Sequence, residues 1–233
     1  MQSQEKARTL TANIKRVEST LLASMDKWAK LLPAHVDAER ELRLVVGSLR
    51  KTPKLLECTP ATLYSAIITC CQLGLEPDGT LGQAYLVPYG RDVTLVIGYK
   101  GLIELARNSG EIAAISASVV REGDSFDWAE GDEAFIKHKP AVDAARNAQP
   151  LTHVYAIVTL TNGEKVRSVW DVARLAAHRD QYVKASGPDS PWQTATEQMY
   201  IKTVLRSLLT SGLVPQSAEL KTAISIDGST EPV

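Results

Sequence analysis

Gln198, Lys202 and Arg206 recur at intervals of four residues toward the end of the chain. On a helix that spacing stacks an amide and two cations in one row, with few acids beside them, which suits a track for phosphates. The same row also reads as an ordinary solvated helix face. A second group lies upstream: Tyr85, Tyr89 and Arg91 in and around a hairpin, Tyr99 and Lys100 in a Gly-Tyr-Lys-Gly turn, and Arg107 further along. Aromatics interleaved with cations hold single strands, because bases stack on the rings and phosphates meet Lys or Arg. Gly98 and Gly101 would allow close backbone approach. The competing assignment packs the tyrosines in a sheet and places Lys100 at a helix end.

Other motifs carry less. Pro188-Asp189 ahead of Glu219-Leu220-Lys221 resembles a nuclease metal site, in which two carboxylates hold a divalent cation and the lysine assists the attacking water. Asp189, however, sits in a Ser/Gly/Pro loop, whereas such sites need rigid elements, so a polar loop and a helix end is the preferred reading. The acidic run Glu122, Asp124, Asp127, Glu130, Asp132, Glu133 lacks the ligand spacing of a calcium loop and reads as a solvated loop. No GxxxxGK[ST], GxGxxG, GxSxG or HExxH occurs, which argues against an ATP-driven motor and against the commonest cofactor and hydrolase sites. Cys58, Cys70 and Cys71 form no even set and read as reduced core residues. The four histidines have no metal-ligand spacing.

The elements that must position these residues follow from periodicity. Apolar Ile14, Val17, Leu21, Leu22, Met25, Trp28 and Leu32 predict a helix over 10–32, ended by Pro33. Asp37 caps a second helix to Lys51, and Thr59-Pro60 opens a third that stops at Gly74. Short strands are expected at 82–87 and 93–97 about a loop at 88–92, then a helix to about Asn108. Further strands fall at 112–121, 134–139, 151–161 and 165–170, the last two joined at Asn162-Gly163. A helix from Asp171, a loop at 185–191, a long helix from Trp192 to about Ser211 and a weakly structured tail with a short strand at 222–226 complete the chain. The hairpin loops are too short for parallel crossovers, so the fold class is α+β: an antiparallel meander (80–170) between an N-terminal helical part (10–75) and C-terminal helices (171–212), with a short tail (213–233), in one domain.

Composition bounds the function. The 233 residues carry 26 Lys+Arg and 27 Asp+Glu, a net charge of -1, which excludes a strongly basic nucleic-acid protein and an acidic disordered chain. Neutrality is a cancellation. Residues 1–60 hold 11 basic and 7 acidic side chains, and residues 122–150 hold 3 and 7. No apolar run approaches the roughly 18 residues of a membrane span, and the N-terminus lacks the apolar core of a signal peptide, so a cytoplasmic location is expected.

Several blocks together resemble the RecT family. Arg50-Lys51-Thr52-Pro53-Lys54-Leu55, QLGLEPDGTLGQAYLVPYG (72–90), IGYKGLIELARNSG (97–110) and VVREGDSF (119–126) are similar to its signature stretches, followed by Thr152-His153-Val154-Tyr155-Ala156 and Pro191-Trp192 with Glu197-Gln198-Met199, Lys202-Thr203 and Arg206. The similarity spans about residues 20–225, in the right order. It implies ATP-independent annealing of complementary single DNA strands in phage or prophage recombination, within a bacterial host cell, by a homo-oligomeric ring or helical filament with single-stranded DNA and nascent duplex in a positive groove. It implies no cofactor, no catalytic residue and no membrane. Carried over by position, Lys100, Arg107, Lys202 and Arg206 contact phosphates, with Arg121 a further cation that could instead pair with Glu122 or Asp124. Gln83, Tyr85, Arg91, Tyr99 and Gln198 lie with them in the DNA site, and Trp28, Arg50 and Lys51 lie at subunit contacts. A phage exonuclease and the host single-strand-binding protein are implied partners, bound by relatives through a C-terminal tail longer than the stretch after Ile226 here. The alternatives are the metal-dependent nuclease above and a module that protects single strands without pairing them.

Overall fold

A computed structural model describes residues 2–23, 30, 37–77, 79–182 and 190–230. Contacts divide the chain into two units, one comprising Met1–Leu102 with Ser225–Thr230, the other built on Ile103–Ile224. The described residues include antiparallel sheets and eight α-helices, an α+β fold.

In the first unit, α1 (Gln2–Ala23) packs on α2 (Ala38–Lys51). α1 starts well before residue 10, and the rest of the expected first helix, including Trp28, lies outside the described residues. Asp37 caps α2 as expected: its carboxylate accepts from the amides of Glu39 (2.9 Å) and Arg40 (3.3 Å). A 3-10 turn, Pro53–Glu57, leads to α3 (Pro60–Gln72). Thr59 sits at the cap position but makes no capping bond. Its hydroxyl donates to the Arg91 carbonyl (3.0 Å), and its amide donates there too (2.7 Å), tying α3 to the hairpin tip. β1 (Ala84–Tyr89) and β2 (Asp92–Ile97) pair antiparallel with Tyr89 opposite Asp92. The expected loop at 88–92 is therefore a two-residue turn, Gly90-Arg91. Gly90 has φ of 61° and Arg91 has no positive φ, the pattern of a type II′ hairpin. Val45, Leu49, Ile67, Cys70, Ala84 and Ile97 fill the core of this unit. Burial pushes the Cys70 and Cys71 thiols up, away from the reactive thiolate, so they are core residues. Glu41 joins them: burial raises its carboxyl, and the Cys71 Sγ–H donates to it (3.5 Å).

The division between units falls inside α4 (Tyr99–Arg107), after Leu102. In the second unit, β3 (Ile112–Arg121), β6 (Leu151–Leu160) and β7 (Lys165–Asp171) form a sheet in the order β3-β6-β7, with β6 central. Val154, Ala156 and Val158 of β6 alternate into the core, the period-two signature of a half-buried strand. The β6–β7 turn carries the expected Asn162-Gly163, with φ of 88° at Gly163. β4 (Ser125–Ala129) and β5 (Phe135–Lys139) form a separate hairpin. β4 lies inside the stretch read as a solvated acidic loop. Its alternation was masked by charge, and Phe126 turns inward against His138, His153 and Tyr155. Asp171 accepts from the Arg174 amide (2.6 Å) and starts α5 (Val172–Tyr182). The expected long last helix is broken at Ala195 into a short α6 (Pro191–Thr194) and α7 (Thr196–Leu209), whose Val204, Leu205, Leu208 and Leu209 are buried and which packs on the sheet. The tail is not a strand: residues from Ala218 to Thr230 form α8, started by the Ser217 hydroxyl accepting from the Leu220 amide (3.1 Å).

Candidate nucleic-acid interface

In the first unit the structure gathers Gln83, Tyr85 and Lys100 around the loop at 79–83. The reason lies in four glycines. A Cβ on Gly98 would stand 2.2 Å from the Gly82 carbonyl oxygen, and one on Gly101 would stand 2.3 Å from that of Gln83. Their freedom is the close backbone approach expected of them, and here it is the chain's own backbone at Gly82 and Gln83 that approaches. The Gly98 amide donates to the Gln83 carbonyl (2.8 Å), closing the contact. The Tyr85 ring lies against Gly79 and Gly98, and its hydroxyl and the Lys100 stem flank Gly82. Tyr85 remains 41% exposed and Lys100 is exposed. Gln83 turns partly inward, its Oε1 accepting from the Glu76 amide (3.1 Å). Tyr99 is half-buried. A recess of about 270 Å³ beside Tyr85 is also walled by Ser48, Lys51 and Thr52. Lys51, expected at a subunit contact, thus stands with Tyr85, its ammonium donating to the Thr80 hydroxyl (2.7 Å). Arg50 is exposed on the last turn of α2. Arg91 and Tyr89 are exposed at the hairpin tip, Tyr89 about 13 Å from Tyr85 along β1.

In the second unit, Arg107 is exposed at the end of α4 and Gln198 is exposed on α7. The rest of the expected row turns inward. Lys202 is 8% exposed and Arg206 is half-buried, so the row is a wall of a recess and not a flat wet face. That recess, again about 270 Å³, is also lined by Trp170 of β7, His178 of α5, and Ser207. Arg121 is 7% exposed and bound on two sides. Its guanidinium pairs with Glu197 of α7 and donates to the Gln149 carbonyl (2.7 Å), while its own amide, not its side chain, meets Asp124 (3.0 Å).

Two groups were not singled out from the sequence. Trp170, Arg174, His178 and Tyr182 form a column: the Arg174 guanidinium lies 3.9 Å over the Trp170 ring, and His178 contacts both Trp170 (5.6 Å) and Tyr182 (4.6 Å). Spacings of four from Trp170 onward were the available signal. Asp124, lost in the acidic run, is a buried acceptor for Arg146 and His138. Asp189 lies outside the described residues, while Glu219 and Lys221 are exposed on α8. Among the described residues no cluster of three or more His, Cys, Asp or Glu is placed to hold a metal ion, and no helix is long and apolar enough to cross a membrane.

The RecT family profile matches residues 39–230. Protein RecT of Escherichia coli (strain K12) is 39% identical over 210 residues, 87% of this chain and 76% of the relative. The uncharacterized protein YqaK of Bacillus subtilis (strain 168) is 28% identical over 180 residues, 76% of this chain and 60% of the relative. The chain belongs to the RecT family, and is a protein of DNA recombination and strand annealing.

Proposed function

We propose that this protein binds single-stranded DNA without sequence preference and anneals complementary strands without ATP, as a homo-oligomeric ring or helical filament acting in the cytoplasm of a bacterial host. The observation that carries this reading is the pairing of aromatic surface with cations in each unit: Tyr85 beside Lys100 in one, Trp170 beside Lys202 and Arg206 in the other. Bases stack on rings and phosphates meet cations, so a strand is held by its backbone with its bases available for testing. No bond is made or broken. Two neutralised backbones approach, and correct pairing supplies the drive through stacking of about 1.4 kcal/mol per base-pair step.

In this reading Lys100, Arg107, Lys202 and Arg206 contact phosphates, with Arg91 at the hairpin tip. Tyr85 and Tyr99 contact bases or sugars, and Gln198 lies beside the row. Gln83 holds the 73–77 segment near Tyr85 through its bond to Glu76. Arg121 acts indirectly, fixing α7 through Glu197. The test is to mix the pure protein with labelled complementary oligonucleotides, without ATP and with or without magnesium. Faster duplex formation with full-length strands is expected, and Lys100→Ala slows it. Shortened strands would overturn the reading in favour of a nuclease. Slower pairing than in the protein-free control would reduce the protein to a protective binder.

A further inference from the structure

The recess behind α7 has a chemistry that neither family membership nor the row of cations assigns. Lys202 and Arg206, about 6 Å apart along the helix axis, face into one concavity from a single helix. Two positive side chains lining one recess favour a phosphate there over a neutral group, while the Arg206 guanidinium also donates to the Ile224 carbonyl (3.4 Å). The opposite wall is aromatic: Trp170, 8% exposed, and His178, with Tyr182 continuing the ring surface to solvent at 40% exposure. Arg174, over Trp170, polarises that wall further. Ser207 adds a hydroxyl. At about 270 Å³ the space is smaller than the roughly 300–1,000 Å³ that encloses a drug-sized ligand, so it suits one nucleotide and not a duplex.

Resting on the DNA-binding reading above, we infer that this recess takes a single nucleotide of the bound strand, its phosphate on Lys202 and Arg206 and its base against Trp170 and His178. The α7 row is then more than an electrostatic track. It anchors one everted base per subunit, setting the register of the strand on the protein while neighbouring bases stay available for pairing.

The experiment measures anisotropy of a labelled oligo-dT and of an equally long abasic deoxyribose-phosphate strand, with full-length protein. Wild type binds oligo-dT more tightly than the abasic strand through all of its base contacts, those of Tyr85 and Tyr99 included. Trp170→Leu and His178→Ala each cut that preference about tenfold, the value of one stacked base, while affinity for the abasic strand stays unchanged, and Trp170→Phe keeps the preference. Lys202→Ala weakens both strands equally and lowers the salt slope by about one. If folded Trp170→Leu and His178→Ala retain the full preference, the inference is overturned while DNA binding stands. If wild type binds neither strand, the functional reading falls and the inference with it. Should Trp170→Leu not fold, the half-buried His178→Ala decides alone.

Discussion

Asp124 is a single carboxylate on which four groups converge through five hydrogen bonds. Arg146 reaches it in fork geometry (2.7 and 2.6 Å), His138 through Nε2 (3.0 Å), and the amides of Ala141 (2.8 Å) and Arg121 (3.0 Å) complete the shell. The Arg146 guanidinium, ahead of the other donors and against the cost of burial, holds the carboxyl far below its usual range. A depressed folded value means that the stabilisation is whole above about pH 5 and drains away as pH falls toward that value. Asp124→Asn keeps the shape but lacks the charge and one acceptor, so its urea midpoint at pH 7 falls well below that of wild type, and the gap narrows at pH 3. An unchanging gap would show that the charge is immaterial. The helical and hairpin spacing of the candidate residues was legible in sequence, because it follows from the apolar periodicity around them. Which of them face inward was not. Asp124 and its neighbours in the acidic run read alike, yet only its side chain is fully buried, and Lys202 sits in the same row as exposed Gln198. Burial is decided by what packs opposite, and that information lies on β5, β7 and α5, far off in sequence.

Secondary elements were legible wherever local signals and packing agreed. The cap of α2, the bounds of β3 and the β6–β7 turn follow directly from Asp37, the apolar run at 112–121 and Asn162-Gly163. They were missed where packing overrode local preference. The β-branched stretch at 222–226 favours strand in isolation, but Leu220 and Ala223, three apart and fully buried, need helical spacing to reach one core, and Ser217 provides the start. Glycine gives the sharpest test at this scale. Gly98→Ala forces a Cβ onto the Gly82 carbonyl, a rigid neighbour, and costs about 1–3 kcal/mol or more. Gly47, in the interior of α2 with nothing within 4 Å of a Cβ, behaves oppositely: Gly47→Ala stabilises by about 0.5–1 kcal/mol through backbone entropy and helix propensity. Thermal unfolding of the two variants should move in opposite directions. A loss of stability at Gly47, or none at Gly98, would refute the packing described for α2 and the 79–83 loop.

At the scale of the whole chain, family and fold class were legible because the matching blocks are long and ordered, whereas the division into two units was not. It falls within α4, with no Gly- or Pro-rich linker to mark it, and the shifts in charge after residues 60, 121 and 150 do not coincide with it. The net charge of -1 has a further consequence. Long-range attraction to a polyanion is close to nil for a near-neutral chain, so affinity must come from short-range contacts at local cation clusters, each of them weak in salt. In the proposed assembly, repetition of those contacts along the strand supplies the affinity: once one subunit has bound, its neighbour meets the strand at a high effective concentration. Binding should therefore rise steeply with strand length, with a long oligonucleotide held about 10²–10⁴ times more tightly than one that spans a single subunit. Raising salt should weaken the long complex along a log–log slope close to the number of phosphates neutralised, and Lys100→Ala and Arg107→Ala should each shorten that slope by about one per subunit. Titrations at two strand lengths and a series of salt concentrations measure both effects. An affinity independent of length would mean that subunits act singly, and a slope untouched by either substitution would remove those two residues from the phosphate path.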